Sequence, residues 1–597
     1  MKKLFEDTRL LDEAARENFG LSDDVMMENA AAALENRLKY YAALAAPKTL
    51  IACGGGDNGG DGYALARRIP NCIVWSVLPA KSASCIRQKD RAEKVGVRIF
   101  SGDVAAFKSE FGFDTVGDRA FDDDPDIFGK FDAVVDCIFG SGFHGEPDES
   151  VAEVIRFLNG LKAAKIACDV PSCLSCADTS LRDDIFTANS TATMGALKKV
   201  LYAEYSKDYV GDVYCANLGV TRDVFEGLSG ESECAVRASE CADKSAARAE
   251  TGATGDVAAG TTPADGAESD GAEDGVAAQP ESAEMWLLEK TDFAAPHRKN
   301  ACVHKGTFGH AAICVGEKSG AGIIAGEACF AYGAGLVTLV PSECVAGQNT
   351  TEQPGTAFCP PDLMTAADLP KNTTAVALGM GLGRGVPAGK TAQTRLTQLA
   401  KLKLPCVLDA DIFYNASLPD FLADNCGKMP IVLTPHPKEF LSLLGLCGIT
   451  AEFAELSKIS PERNTTLANK LGASAKDSSI NTPDVNYVIK NRETLSAAFC
   501  KKYPGVVLLV KGATPLISTV KDGKIQQFVN PLGKNCLAKG GSGDVLSGLI
   551  CALLAQGYSA LDAAIQGSLA HSLASDRITT DYGMTPFMLI DAARYLK

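Results

Sequence analysis

No run of about eighteen apolar residues occurs in the chain, so no membrane-spanning helix is expected. The start, Met1-Lys2-Lys3-Leu4-Phe5-Glu6-Asp7, turns polar at once and lacks the apolar stretch of a secretory signal. Positive charge is also short: 58 lysines and arginines face 74 aspartates and glutamates, a net charge of −16. This argues against a nucleic-acid partner, because phosphate backbones need clustered cations. Anionic ligands stay open, since backbone amides bind phosphate without net positive charge. The pattern GxxxxGK followed by Ser or Thr is absent, which excludes a Walker-type phosphate loop. One Cys-x-x-Cys occurs, Cys173-Leu174-Ser175-Cys176, with no second pair at zinc spacing. Two free thiols are the simpler reading. From about Gly230 to Glu284 large apolar residues are almost missing, so that stretch cannot offset the entropy of ordering. It reads as an acidic flexible linker, residues 229–284.

What is present is a chain of 597 residues with 46% hydrophobic content, enough for several well-packed domains. Its 21 cysteines are scattered, some in apolar runs such as those around Cys137, Cys168, Cys314 and Cys406. Buried cysteine behaves as a small hydrophobe, and reduced thiols fit a cytoplasmic protein. The linker divides the chain into residues 1–228 and 285–597, with no repeat relating the two.

The first half is expected to open with a helix carrying Met27, Ala30, Ala31, Leu34, Leu38 and Tyr41 on one face, capped by Ser22, Asp23 or Asp24. Short continuous apolar runs follow: 49–53, 72–77, 133–138 and 165–169. Such runs suit parallel strands buried on both faces, in a Rossmann-like doubly wound sheet. The polar stretch 101–130 reads as a long loop or insertion. The second half alternates strands (311–315, 336–340, 376–378, 406–409, 431–433, 506–510) with helical patterns, a second α/β domain.

After the first strand comes Gly54-Gly55-Gly56-Asp57-Asn58-Gly59-Gly60-Asp61-Gly62, read as a loop leading into a helix from Tyr63. Glycines permit sharp turns and close backbone approach, and a helix N-terminus attracts phosphate. Two later strands end in Asp136 and Asp169. Ligands of open α/β sheets bind outside the carboxyl ends of the strands, so Asn58, Asp136 and Asp169 are expected in one crevice. Met27-Glu28-Asn29-Ala30, Asn58-Gly59-Gly60-Asp61-Gly62, Gly140-Ser141-Gly142, Asp169-Val170-Pro171-Ser172 and Gly195-Ala196-Leu197-Lys198 together resemble the YjeF N-terminal family, the epimerases of hydrated NAD(P)H, NAD(P)HX. The resemblance implies that Asp57, Asn58, Gly59, Gly60 and Asp61, with Gly140, Ser141, Gly142, Phe143, His144, Gly145 and Glu146, hold NAD(P)HX. It implies that Asn58, Asp136 and Ser172 bind K+, a hard cation suited to oxygen ligands. Asp169 is the candidate acid/base, with Lys198 as electrostatic support. Two residues depart from the family pattern: Asp57 stands for an asparagine, and Cys173 for a glycine.

In the second half, Ala538-Lys539-Gly540-Gly541-Ser542-Gly543-Asp544 leads into an apolar helix, placing Asp544 where it can take a proton from a hydroxyl beside a transferring phosphate. The motif resembles the ribokinase-like superfamily. His304-Lys305-Gly306, Gly379-Met380-Gly381, Asp409-Ala410-Asp411, Thr434-Pro435-His436 and Lys511-Gly512-Ala513-Thr514 narrow it to the NAD(P)HX dehydratases, with Met380 where proline is common. The resemblance implies Asp544 as general base, Gly322, Gly381, His436 and Asp544 at NAD(P)HX, and Lys511, Gly512, Ala513, Thr514 and Gly543 at the nucleotide. Mg2+ and either ADP or ATP are expected, with NADHX and NADPHX as substrates and a homo-oligomeric state. The alternative is a small-alcohol kinase carrying a non-catalytic N-terminal binding module.

Overall fold

The computed structural model describes residues 1–44, 46–113, 130–178, 180–227, 283–341, 359–449 and 484–597. All but the last two residues of the linker stretch lie outside them. Eighteen strands among the described residues form two sheets, one of seven strands and one of eleven.

The seven-stranded sheet comprises β2 (Thr49–Cys53), β3 (Cys72–Ser76), β4 (Arg98–Phe100), β5 (Ala133–Cys137), β6 (Ala164–Cys168), β7 (Ser190–Met194) and β8 (Asp212–Ala216). Their order is β4-β3-β2-β5-β6-β7-β8 and every pairing is parallel. The first six strands follow the doubly wound dinucleotide-fold order, with β8 added at the edge. Every residue of β2 and β5 is buried, as expected of strands covered by helices on both faces. The direction of strand order reverses between β2 and β5, and their carboxyl ends open the crevice.

The larger sheet holds β9 (Glu284–Leu287), β10 (His310–Val315), β11 (Leu336–Pro341), β12 (Met364–Thr365), β13 (Ala375–Leu378), β14 (Cys406–Leu408), β15 (Ile431–Leu433), β16 (Val506–Val510), β17 (Leu516–Lys521) and β18 (Lys524–Val529). From β12 to β16 the pairings are parallel; β17 runs antiparallel to both neighbours. The eleventh strand is β1, Lys2–Leu4, which pairs antiparallel with β9. Three residues from the start of the chain thus sit in the sheet of the second half. Leu4, Leu197, Leu201, Met285, Leu287, Leu516 and Val529 share one apolar cluster, so the two halves are packed through a common core.

Three local expectations are corrected. Helix Asp23–Ala42, capped by Ser22, is preceded by β1 and a further helix, Arg9–Phe19. The stretch 101–130 is not all loop: Val104–Phe111 is a helix, and its Phe107 stacks on Trp75 at 4.1 Å. Residues 114–129 of that stretch lie outside the described residues. Finally, the helix expected from Tyr63 begins at Asp57 and ends at Ala66. Gly59, Gly60 and Asp61 are therefore buried helical residues rather than an open loop. A Cβ on Gly59 would stand 2.1 Å from the Gly54 carbonyl oxygen, and one on Gly60 2.8 Å from Met27. These glycines are packing devices that let the helix lie against its neighbours.

Candidate functional site

In the first half, Asp169 follows the end of β6 with φ of 66° and is 8% exposed. Its Oδ1 accepts from Lys198 Nζ at 2.6 Å and from the Met194 amide at 3.2 Å. Its Oδ2 accepts from the Ser141 amide at 3.0 Å. Lys198, 1% exposed, also donates to Thr193 Oγ1 and the Met194 carbonyl. Burial pushes the Asp169 carboxyl up, but the Lys198 ammonium and the hydrogen bonds outweigh it and hold it below the usual range. Asp169 is a carboxylate at neutral pH.

Asp136, at the end of β5, is fully buried. It accepts from Ser172 N at 2.8 Å, Ser172 Oγ at 2.7 Å and the Ile138 amide at 3.1 Å. Burial raises its carboxyl to about 6, against those hydrogen bonds. Ser172 Oγ in turn accepts from the Phe139 amide at 2.9 Å. Asn58, in the first turn of its helix, buries both polar atoms of its side chain without a hydrogen-bond partner. A Cβ on Gly140 would lie 3.0 Å from Asp169 Oδ2 and 3.4 Å from Asn58 Oδ1, so that glycine is where the three strand ends close together. Buried amides are ordinarily satisfied, and an orphaned carboxamide oxygen beside a buried carboxylate fits a monovalent cation.

The loop 140–146 borders this crevice, with Phe143 stacked on Phe139 at 4.3 Å while Ser141 supplies its amide to Asp169. Gly142 and Gly145 are open, with nothing near a Cβ position, and His144 and Gly145 are exposed. A cavity of about 130 Å³ lies beside it, lined by Asp12, Asp57, Asp61, Met26, Met27 and Met194 among others. Asp12, in the first turn of Arg9–Phe19, escaped sequence reasoning because that helix precedes the motif-bearing segments. Burial raises its carboxyl to about 6. Asp61 is raised further, first by burial and then by the negative charge of Asp169. Asp57 is exposed and accepts from Ser82 Oγ at 2.7 Å.

The second site gathers at the carboxyl ends of β13 to β16. Asp544 lies in the first turn of helix Ser542–Ala555. Burial raises its carboxyl to about 7, aided by Asp409 and Glu439 and opposed by Lys511. Asp409, 1% exposed, accepts from Lys511 Nζ at 2.7 Å and Ser547 Oγ at 2.6 Å. A Cβ on Gly543 would meet Lys511 Nζ at 3.3 Å, so the cation sits over the helix start. His571 Nε2 lies 3.0 Å from Ser542 Oγ and 3.0 Å from its carbonyl oxygen, buttressing the same turn; it too lacked any sequence signal.

Gly381, after β13, has φ of 60°, and a Cβ there would stand 2.5 Å from the Lys318 carbonyl oxygen. Gly322 is buried against Val315 in helix Ser319–Ala331. His436 caps helix Pro437–Leu446: its Nδ1 accepts from the Lys438 and Glu439 amides, and its Nε2 lies 3.1 Å from Glu439 Oε1. Half-exposed, it combines a capping role with an open edge. Lys511–Thr514 follows β16. Thr514 is buried and its hydroxyl accepts from Arg492, while the Ala513 amide donates to Glu204. Among the described residues no cluster of three or more His, Cys, Asp or Glu side chains is arranged to hold a metal. Cys173 and Cys176 are free.

Residues 23–200 match the family described as YjeF-related protein N-terminus, and residues 311–595 the one described as NAD(P)H-hydrate dehydratase. The chain is 34% identical to the bifunctional NAD(P)H-hydrate repair enzyme Nnr of Helicobacter pylori, covering 100% of both chains. It is 26% identical to the enzyme of that name from Escherichia coli, covering 91% of this chain and 83% of that one. A solved structure, the ADP/ATP-dependent NAD(P)H-hydrate dehydratase from Bacillus subtilis co-crystallised with ATP and Mg2+, aligns at 22% identity and a TM-score of 0.36. It covers 50% of this chain and 92% of that one.

Proposed function

Since the chain belongs to the bifunctional NAD(P)H-hydrate repair enzymes, we propose that its first half interconverts the R and S forms of NAD(P)HX and its second half returns the S form to NAD(P)H. The Lys198–Asp169 pair is the observation that carries the first activity. Epimerisation passes through a planar state at the hydroxylated carbon, by ring opening or dehydration, and needs a proton acceptor and a donor beside it. Asp169, held ionised by Lys198, is the acceptor. Asp61, whose protonated form is favoured first by burial and then by the negative charge of Asp169 and which lines the adjoining cavity, is suited to be the donor. Asn58, Asp136 and Ser172 would hold K+, which would offset the buried charge of Asp136 and anchor the turn at 138–140.

In the second half Asp544 takes the proton of the ring hydroxyl as that oxygen attacks the terminal phosphate of ADP or ATP. Phosphate then leaves with its C–O bond electrons and the adjacent carbon loses a proton, restoring the ring double bond. Phosphate is a far better leaving group than hydroxide. Lys511, seated over the helix start, balances charge on the transferring group. With no cage of three or more carboxylates among the described residues, Mg2+ would be carried chiefly by the nucleotide phosphates. Gly322, Gly381 and His436 line the substrate side, and Lys511–Thr514 with Gly543 the nucleotide side. A cytoplasmic location is part of the proposal, supported by the free cysteines of both halves.

The test is return of NADH from a mixture of R and S NADHX with Mg2+, K+ and ADP or ATP. Both epimers are consumed by the wild type, and Asp169→Asn consumes only the S form. No conversion by the wild type sinks the proposal and favours a small-alcohol kinase.

A further inference from the structure

The loop read here as the nucleotide loop is not completed by its own half. Glu204 lies six positions after Lys198 in the first half, and its side chain reaches across the seam. One carboxylate oxygen accepts from the Ala513 amide at 2.7 Å; the other accepts from Arg492 Nη1 at 2.6 Å. Arg492 opens helix Arg492–Lys502 in the second half. It also donates to the Thr514 carbonyl at 2.9 Å, the Thr514 hydroxyl at 2.9 Å and the Tyr202 carbonyl at 3.2 Å. The fit is tight, because a Cβ on Gly512 would stand 2.5 Å from the Glu204 carboxylate.

An exposed ion pair would contribute little. Here the side chains are 8% exposed for Arg492 and 15% for Glu204, so neither charge is left to water. Arg492 already neutralises Glu204, and the carboxylate serves as a fixed acceptor on the loop rather than a free anion competing with phosphate. Between them the two residues pin an amide, a carbonyl and a hydroxyl within two consecutive residues of the loop. The other end of the loop is Lys511, whose amide donates to the Pro435 carbonyl and whose ammonium reaches Asp409. Only Gly512 stands between these two anchored ends.

We infer that Glu204 is a positioning residue for nucleotide binding in the opposite half. It touches no nucleotide itself; through the Ala513 amide and Arg492 it sets where the loop and Lys511 meet the phosphates. The inference rests on the reading of Lys511–Thr514 as the nucleotide loop.

Steady-state dehydration of S-NADHX with ADP and with ATP tests it in the full-length wild type, Glu204→Ala and Glu204→Gln. Glu204→Ala should raise the nucleotide KM tenfold or more while kcat falls less than threefold. Glu204→Gln keeps an acceptor for the Ala513 amide and should recover part of the loss. A nucleotide KM within twofold of wild type, or below it, overturns the inference. Gly512→Ala, made in the wild type and in Glu204→Ala, adds a cycle. The new methyl collides with the carboxylate only where Glu204 is present, so its penalty should shrink in the Glu204→Ala background; equal penalties overturn the inference. ADP binding without NADHX, read as the shift in thermal midpoint, reports on the loop whatever the substrate and shows that each variant is folded. A wild type that binds ADP but returns no NADH sinks the proposed function and leaves this test standing. An active wild type whose Glu204→Ala variant binds ADP equally well sinks the positioning role alone.

Discussion

Asp169 and Cys173, four positions apart, both sit at left-handed backbone angles, with φ of 66° and 71°. Aspartate is among the few non-glycine residues that enter that region, and at Asp169 the Ser141 and Met194 amides, from distant segments, hold the side chain in place. Cysteine has no such compensation, and strain of this kind persists where the surroundings over-determine it. The departure at Cys173 was legible in the sequence as a Cβ where glycine is expected; the angle says why. Cys173→Gly should be more stable than Cys173→Ala by about 1 kcal/mol, since both lose the thiol but only glycine loses the Cβ that conflicts with φ. Denaturant midpoints of the two variants measure it, and an alanine variant at least as stable as the glycine variant would contradict the argument. At Asp57 the added charge stands at a helix start and is bonded to Ser82, where a carboxylate is favourable.

Among the elements, the strands were the most legible. Runs such as Val506–Val510 and Ile431–Leu433 are apolar throughout because both faces are buried, and that needs no partner to be read. Helix Asp57–Ala66 was not legible in its first turns, where glycine has poor helix propensity and only tertiary packing overrides it. The strand ends bring together groups that are far apart in sequence, and Asp544 shows the effect. Burial and the charges of Asp409 and Glu439, outweighing Lys511, leave it at about 7. A general base works only when deprotonated, so dehydratase kcat/KM should rise with pH through about 7 and level off above it. Asp544→Asn should remove that limb and lower the rate by a factor on the order of 100 or more. A rate flat from pH 5 to 8 in the wild type would contradict this role.

For the whole molecule, the shared core and strand β1, which the first half contributes to the second sheet, predict that the halves unfold together. Trp75 lies in the first sheet and Trp286 in β9 of the second, and they are the only tryptophans, 2 in all. Trp75→Phe and Trp286→Phe each leave one reporter. In each variant the fluorescence midpoint in urea should coincide with the circular dichroism midpoint. Separate midpoints would mean that the seam is weaker than its packing implies.

The sequence by itself determined two α/β halves and the buried central strands of each, and pointed to the residues proposed to carry chemistry, because hydrophobic period and glycine-led motifs are local properties of the chain; β1, β4, β7, β8, β9, β12, β17 and β18 were not read from it. Only the tertiary structure decided that Lys198 pairs with Asp169, that the unsatisfied Asn58 and Asp169 meet across Gly140, that Asp544 feels the charge of Asp409 and that Glu204 reaches the loop of the other half. Each juxtaposes residues distant in sequence, and burial, by removing the screening water, sets how strongly their charges and unpaired groups are felt; burial exists only once the sheets and helices have closed over them.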